Sequence, residues 1–180
     1  IQDNSENLRD FLKAILKAYT MESFICYWLN ELLRSENWVE INIITPYLVC
    51  LVYTFKLEEY IIKYQERQGI FSTLLGFAGK QKLYLYRGAA LIKEHLDLYD
   101  PQKIQYFSWN GVISTSLHKD IAIRFQQGGL KRPILIIIEI DFGDLQPEDL
   151  NALYLAKFSA IPKEEEVAIA PGGIFELLEI

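Results

Sequence analysis

The sequence predicts an α+β fold, with a helical N-terminal lobe over about residues 1–70 and a mainly antiparallel β core over about residues 71–180. A change of pattern along the chain supports this. Before Gly69 apolar residues recur at helical spacing, and after it they alternate with polar residues or form β-branched runs. The length of 180 residues suits a single domain, and a hydrophobic content of 51% is enough for a packed core.

Two amphipathic helices are predicted at the N-terminus. The first carries one apolar stripe of residues at helical spacing: Leu8, Phe11, Leu12, Ile15, Leu16 and Tyr19. The second covers about residues 22–34 and is expected to turn four apolar residues inward: Phe24, Tyr27, Trp28 and Leu32. Each helix therefore has one face suited to packing.

A third helix is expected to begin at Thr45-Pro46 and to end at Gly69. A capping hydroxyl followed by proline at the first helical position is a common start signal, and glycine is a common stop signal. The longest apolar stretch of the chain, 15 residues from Ile41 to Phe55, lies here. A bilayer span needs about 20 apolar residues, so we expect a core helix and no membrane span.

Four strands and one short helix are predicted after Gly69. The strands cover residues 82–87, 134–140, 166–170 and 174–180, and the helix covers residues 116–125. The run 134–140 is almost continuously β-branched, which is typical of a strand buried on both faces. A Pro171-Gly172-Gly173 turn is expected to make residues 174–180 the hairpin partner of the preceding strand.

Composition and charge weigh against several functions. A net charge of −6 is unlike the basic balance of a nucleic-acid-binding protein. Cys26 and Cys50 form no disulfide framework, and neither they nor His95 and His118 have metal-ligand spacing. The chain opens on Ile1 without a basic and then apolar segment. We therefore expect an excised domain with no signal peptide and no metal, and the localisation stays open.

An arginine followed by glycine ends the first predicted strand. By strand alternation Arg87 shares a face with Leu83 and Leu85. Its guanidinium can bind phosphate, and Gly88 lets a ligand approach the backbone. A surface arginine at a strand end is an equally good interpretation of these residues alone.

Three hydroxyl residues, Ser114-Thr115-Ser116, form the second motif. Ser116 is expected to cap the helix that follows, which leaves Ser114 and Thr115 without that role. Alternation places these two on opposite faces, so only one of them should line a cleft.

An acidic run, Glu164-Glu165-Glu166, forms the third motif. Such runs usually mark a solvated face, but this one leads directly into an apolar strand. Period-2 spacing would place Glu164 and Glu166 on one face, with Glu165 opposite and tolerant of alanine. Two carboxylates on one face can divide the work of stabilising a cation and moving a proton.

In this order and spacing, the three motifs resemble those of the arginine-specific mono-ADP-ribosyltransferases, which combine an arginine on an early strand, a Ser-Thr-Ser motif and a Glu-x-Glu motif before an apolar strand. The resemblance covers about residues 70–180. It extends more loosely to Tyr19-Thr20 and to Tyr27-Trp28-Leu29-Asn30 through Leu33-Arg34, which look like the helical lobe of that family.

The resemblance implies a cleft between the helical lobe and the sheet that binds NAD+ as co-substrate. Arg87 would hold a phosphate of NAD+, and the Gly88 backbone would meet the nicotinamide amide. Ser114 would position Glu166, which would accept a hydrogen bond from the nicotinamide ribose and stabilise the oxocarbenium-like cation. Glu164 would orient the incoming guanidinium and help to remove its proton.

The remaining implied contacts are weaker. Thr115 and Phe125 would join the NAD+ contacts, although a helix-face phenylalanine is more often part of a core. Phe158 lies in a turn, Lys157-Phe158-Ser159, that resembles the family's substrate-recognition loop, and it would contact the acceptor protein. Arg132 follows a segment where the family covers the phosphates, but a solvated basic residue is an alternative.

The resemblance thus implies a mono-ADP-ribosyltransferase that acts on an acceptor protein with an exposed arginine. Two alternatives stay open. An NAD+ glycohydrolase would use the same site with water as the attacking group. A catalytically silent module would keep the fold for NAD binding or protein interaction.

Overall fold

In the part of the chain that the structure describes, three helices precede the sheet, as the sequence predicts. The computed structural model describes residues 2–21, 24–65, 82–126, 131–141, 152–156 and 158–179. The helices are α1 (Gln2–Thr20), α2 (Phe24–Ser35) and α3 (Trp38–Gln65). Helix α1 packs against both α2 and α3. The predicted α+β class is confirmed.

Seven strands are described in two antiparallel sheets. Five of them form one sheet in the order β4-β1-β3-β6-β5. Their bounds are β1 (Lys82–Leu91), β3 (Ile113–Ser116), β4 (Arg132–Asp141), β5 (Ala152–Tyr154) and β6 (Glu166–Ile169). The other two, β2 (Tyr106–Ser108) and β7 (Ile174–Glu176), pair with each other. Short helices α4 (Lys93–Leu96) and α5 (Lys119–Arg124) and a 3-10 turn (Pro162–Glu164) connect them.

Hydrophobic clusters cover both faces of β6. Ala168 belongs to the cluster formed with the three helices, to which Leu16, Leu29 and Leu51 contribute. Val167 belongs to a second cluster, against which Phe175 of β7 and Trp109, the residue after β2, pack. Successive strand residues point to opposite faces, so both faces of β6 are buried. Glu166, the first residue of β6, is on the same face as Ala168, which is the face that packs against the helices.

The buried face of α2 differs from the prediction. Tyr27 is 66% exposed and Trp28 is 36% exposed, whereas Leu29 and Leu32 are buried. Several sets of residues in an apolar helix satisfy the helical spacing, and here the aliphatic set packs against α1 and α3. The side chain of Phe24 and residues 22–23 lie outside the described part. On α1, Leu8 and Phe11 are likewise exposed, and Leu12, Leu16 and Tyr19 are buried.

Helix α3 begins at Trp38, not at Thr45. Asn37 precedes it and accepts a hydrogen bond from the N–H of Glu40 (3.4 Å). The Thr45 hydroxyl donates to the Ile41 carbonyl (2.9 Å) instead of capping, and Pro46 lies inside the helix. Proline lacks a backbone N–H and so cannot donate one helical hydrogen bond. Packing of the apolar face that continues past Pro46 outweighs this loss. The predicted end at Gly69 lies outside the described residues.

Over residues 38–55, one face of α3 is buried and the other is exposed. Ile41, Ile44, Leu51 and Phe55 lie in the core, as expected for a core helix. A second apolar set faces outward: Val39, Ile43, Val49 and Tyr53. By length and composition alone, Trp38–Phe55 is the one segment of the described helices that could cross a membrane.

Two strand predictions are wrong for the same kind of reason. In the described structure one face of strand β4 is covered and the other is open, so Ile137 is 52% exposed while Ile138 and Ile140 are buried. Strand β7 pairs with β2 and not with β6, because β3 and β5 already occupy both edges of β6. In both cases the neighbouring elements decide the burial and pairing, and local composition does not.

Candidate active site between the helices and the sheet

A cavity of about 580 Å³ lies between helices α1 and α2 and the edge formed by β1, β3 and β6. This volume is within the range of about 300–1,000 Å³ that small-molecule sites occupy. The sheet side supplies Arg87, Gly88, Ser114 and Glu166, and the helical side supplies Tyr19, Cys26, Asn30 and Arg34. Most of the predicted site residues therefore border one space.

Glu166 is a buried carboxylate with a single defined partner. It is 7% exposed, and its Oε1 accepts a hydrogen bond of 2.6 Å from the Ser114 hydroxyl. Burial raises its pKa above the ordinary range of glutamate, and the charge of Glu164 adds to this. The bond from Ser114 and the charge of Arg87 act in the opposite direction. The side chain is thus held in one place but is costly to ionise.

Ser114 and Thr115 point to opposite faces of β3, as alternation predicts. Ser114 reaches Glu166, whereas Thr115 is 4% exposed and its hydroxyl donates to the Val167 carbonyl (2.6 Å). Thr115 borders the cavity, but its hydroxyl is used in joining β3 to β6. We therefore leave it out of the contacts that we propose for NAD+.

Ser116 does not cap a helix. Helix α5 begins after His118, which has no side-chain capping bond. The Ser116 hydroxyl instead accepts from the His118 N–H (2.9 Å) and donates to the Glu164 carbonyl (2.7 Å). The residue ties the end of β3 to the backbone of the acidic motif.

The acidic motif is not a strand before Glu166, so period-2 spacing is the wrong reason for its geometry. Glu164 ends the 3-10 turn, and Glu165 has a left-handed backbone with φ of 42°. Glu164 and Glu166 nevertheless both border the cavity. Glu165 lies elsewhere, with its Oε2 at 3.0 Å from Nε2 of His118. The tight turn, not alternation, separates Glu165 from its neighbours.

Arg87 brings a cation to the cavity. Its Nη1 donates to the Ser114 carbonyl (2.7 Å), and burial lowers its pKa. Arginine nevertheless remains charged in proteins. Within the described ranges no carboxylate forms an ion pair with it. A half-buried, charged guanidinium that has spare donors and, among the described residues, no ion-paired carboxylate is suited to bind an anion.

Gly88 has a packing role in addition to the ligand contact that the sequence predicts. A Cβ built on Gly88 would lie 1.8 Å from the carbonyl oxygen of Ala122. The missing side chain therefore admits the backbone of α5, although Gly88 also borders the cavity. The glycine sets how closely α5 approaches β1.

Replacing Gly88 with alanine is expected to destabilise the fold, because backbone atoms of α5 must move. Overpacking of this kind costs about 1–3 kcal/mol or more, which denaturant unfolding will measure. The control is Gly173→Ala, whose Cβ would first meet the ring of Phe175 at 3.3 Å. Equal losses in the two variants would contradict this packing role.

Asn30 and Arg34 lie one turn apart on α2 and were not assigned to the site from the sequence. Asn30 Nδ2 donates to the Cys26 carbonyl (3.2 Å), while its Oδ1 is buried without a hydrogen-bond partner among the described residues. Arg34 pairs with Glu31 (3.2 Å) and remains half exposed. Both also border a second cavity of about 700 Å³, which shares Arg87 and Gly88 with the first. Helical spacing places them together, but nothing in their local sequence indicates binding.

Three of the weaker candidates have distinct positions. Phe125 ends α5, is 50% exposed and borders the cavity, so it is not a core residue. Phe158 is partly buried and packs against both hydrophobic clusters. Arg132 is exposed at the start of β4 and is not among the residues that border the first cavity. Among the described residues, no three His, Cys, Asp or Glu side chains lie together as metal ligands.

Comparison with solved structures gives the fold. Residues of this chain match the eucaryotic mono-ADP-ribosyltransferase ART2.2, at 18% identity and a TM-score of 0.54 over 95% of this chain and 60% of that chain. A variant of ART2.2 in complex with NADH matches at 17% identity and a TM-score of 0.61 over 97% and 62%. Vis toxin, an ADP-ribosyltransferase from Vibrio splendidus, matches at 16% identity and a TM-score of 0.56 over 99% and 77%.

The chain thus has the ADP-ribosyltransferase fold and spans about three fifths of the length of ART2.2. No protein-family model matches the sequence. No curated protein matches it significantly either.

Proposed function

We propose that the protein transfers ADP-ribose from NAD+ to a protein acceptor, with arginine as the accepting side chain. One observation carries the proposal: the buried carboxylate of Glu166, held by Ser114, borders the same cavity as Arg87, a cation with no ion-paired carboxylate among the described residues. A fixed anion beside an anion-binding group suits a dinucleotide that develops positive charge on one ribose as a bond breaks. The fold shared with ADP-ribosyltransferases supports the same chemistry.

The described residues fit NAD+ as a ligand. Arg87 offers donors to a phosphate from the sheet side, and Arg34 adds a second positive charge from the helical side of the same cavity. Asn30 borders the same cavity from α2 and adds a polar side chain to its lining.

Glu166 would stabilise the transition state for loss of nicotinamide. As the bond between C1′ of the ribose and the nicotinamide nitrogen breaks, its electron pair leaves with nicotinamide and the ribose becomes cationic. Glu166, accepting a hydrogen bond from a ribose hydroxyl, opposes that charge from a fixed position. The Ser114 bond removes the need to reorganise the carboxylate during the reaction.

Glu164 would prepare the acceptor. The guanidinium of an arginine is normally protonated and therefore a poor nucleophile. A carboxylate at the cavity edge can orient it and take up the proton that is lost when its nitrogen forms a bond to C1′. Glu164 is the second carboxylate bordering the cavity among the described residues.

The two alternatives differ in which features they require. A glycohydrolase needs Glu166 but has no use for Glu164. A silent module needs neither, whereas burial of an ionisable group with a raised pKa is typical of functional sites. The experiment is nicotinamide release from NAD+, with and without an arginine analogue. Release that the analogue accelerates supports transfer, unaccelerated release supports hydrolysis, and no release supports the silent module.

Replacing Arg87 with alanine is expected to weaken NAD+ binding by roughly tenfold to a hundredfold, the range for a hydrogen bond to a charged group. Calorimetric titration of the folded variant measures this. Lys93→Ala is the control, since it removes an exposed cation on α4 that borders neither cavity. Unchanged affinity in Arg87→Ala would exclude Arg87 from the site.

Replacing Ser114 with alanine is expected to move the acidic limb of the pH–rate profile to higher pH. Catalysis needs ionised Glu166, whose raised pKa already places this limb of kcat/KM above the ordinary glutamate value of about 4.3. Removing the hydrogen bond that lowers the pKa raises it further. Ser35→Ala, on the last residue of α2, should leave the limb in place. A limb that stays unmoved, or moves down, in Ser114→Ala would refute the assignment.

A further inference from the structure

Glu165, between the two cavity glutamates, adopts a backbone conformation that glutamate normally avoids. Its φ of 42° lies in the left-handed region, and Glu36 is the one other non-glycine residue with positive φ in the described ranges. A side chain with a Cβ is disfavoured there. The turn that presents Glu164 to the cavity therefore depends on surrounding contacts.

The end of β3 and the residues directly after it supply those contacts. The Leu117 N–H donates to the Glu165 carbonyl (3.3 Å), and the Ser116 hydroxyl donates to the Glu164 carbonyl (2.7 Å). The side chain of His118 adds a third contact, at 3.0 Å between Nε2 and Oε2 of Glu165. Because an ionised carboxylate only accepts, Nε2 is the donor. His118 thus holds the side chain of the left-handed residue from outside the cavity.

We propose that His118 is a positioning residue that keeps the Glu165 turn in its left-handed form and thereby keeps Glu164 in place for the acceptor. This inference rests on the proposed function. It also departs from the expectation that Glu165 tolerates alanine, because that substitution removes the carboxylate that His118 holds.

The effect should fall on Glu164 and not on Glu166. Glu166 is held independently by pairing with Ser116 in the sheet, by the Leu155 N–H at its carbonyl (2.8 Å) and by Ser114 at its side chain. Glu164 lies in the turn itself. Loosening the turn should therefore reduce transfer to arginine while cleavage of NAD+ continues.

The test compares both activities in His118→Ala. We expect transfer to an arginine analogue to fall roughly fivefold, as for loss of a favourable exposed pair, with NAD+ hydrolysis unchanged. His118→Gln, which keeps an N–H donor, should retain transfer. Adding Glu165→Gly to His118→Ala should restore it, because glycine adopts the left-handed form without a side-chain contact. Glu36→Gly, at the left-handed residue between α2 and α3, is the control and should change neither activity.

The outcomes separate this inference from the proposed function. If the wild-type protein transfers to the analogue but His118→Ala does so equally well, the positioning role is wrong and the function stands. Parallel loss of both activities, or no recovery in the double variant, also overturns the role. A wild-type protein that does not cleave NAD+ overturns both.

Discussion

Replacing Glu166 with glutamine is expected to abolish nearly all release of nicotinamide from NAD+. The variant keeps the shape of the side chain and an oxygen that can accept the Ser114 hydrogen bond, but it deletes the charge that faces the developing cation. Loss of a preorganised group of this kind lowers kcat by about 10²–10³. Steady-state nicotinamide release at saturating NAD+ measures the effect.

The same variant should not lose stability at neutral pH. Because burial raises the pKa of Glu166, its contribution to stability is fully present below the ordinary glutamate pKa and is lost as the pH rises through the raised value. A neutral glutamine avoids that loss. Glu176→Gln, at the exposed end of β7, is the matched control and should keep full activity. Near wild-type turnover in Glu166→Gln would be incompatible with the proposed chemistry.

Replacing Glu164 with glutamine is expected to separate the two activities. NAD+ cleavage depends on stabilising the ribosyl cation, which is the task of Glu166, so hydrolysis should persist. Transfer to arginine additionally needs a carboxylate to orient the guanidinium and accept its proton, so it should fall by about 10² or more, as for loss of a general base. Parallel assays of NAD+ hydrolysis and of transfer to an arginine analogue measure the split.

The comparison between Glu164 and Glu166 is specific because the two glutamates reach the cavity from different elements. Glu164 borders the cavity through the 3-10 turn, and Glu166 borders it from the first position of β6. A matched control is Glu94→Gln, an exposed glutamate on α4, which should change neither activity. If both activities of Glu164→Gln fall together, or if transfer survives, the division of labour is wrong and arginine specificity loses its main support.

The part of the fold that depends on local pattern could be predicted, and the part that depends on neighbours could not. Helical periodicity followed by alternation gave the α+β class. The partner of β7, however, depends on the fact that both edges of β6 are already occupied. The exposure of Ile137 depends in the same way on which face of β4 other elements cover in the described structure. The composition of a segment carries no information about its pairing partner or about which of its faces is covered.

The candidate site could likewise be predicted only in part from the sequence. Ser114 and Glu166 lie 52 positions apart, and motif resemblance alone associates them before the fold brings them to 2.6 Å. The local geometry of Glu165 was inferred from strand alternation, but a turn produces it. Asn30 and Arg34 carry no chemical signal beyond lying one helical turn apart, so their place at the cavity follows only from how α2 packs.

The most direct test of the central claim is the mass of an acceptor after incubation with NAD+ and the wild-type protein. An arginine-containing peptide and its counterpart with lysine at the same position should be compared. Our account predicts that the arginine peptide gains the mass of one ADP-ribose, in step with nicotinamide release, and that the lysine peptide does not. Nicotinamide release with no mass gain on either peptide, or an equal gain on both, would contradict transfer to arginine.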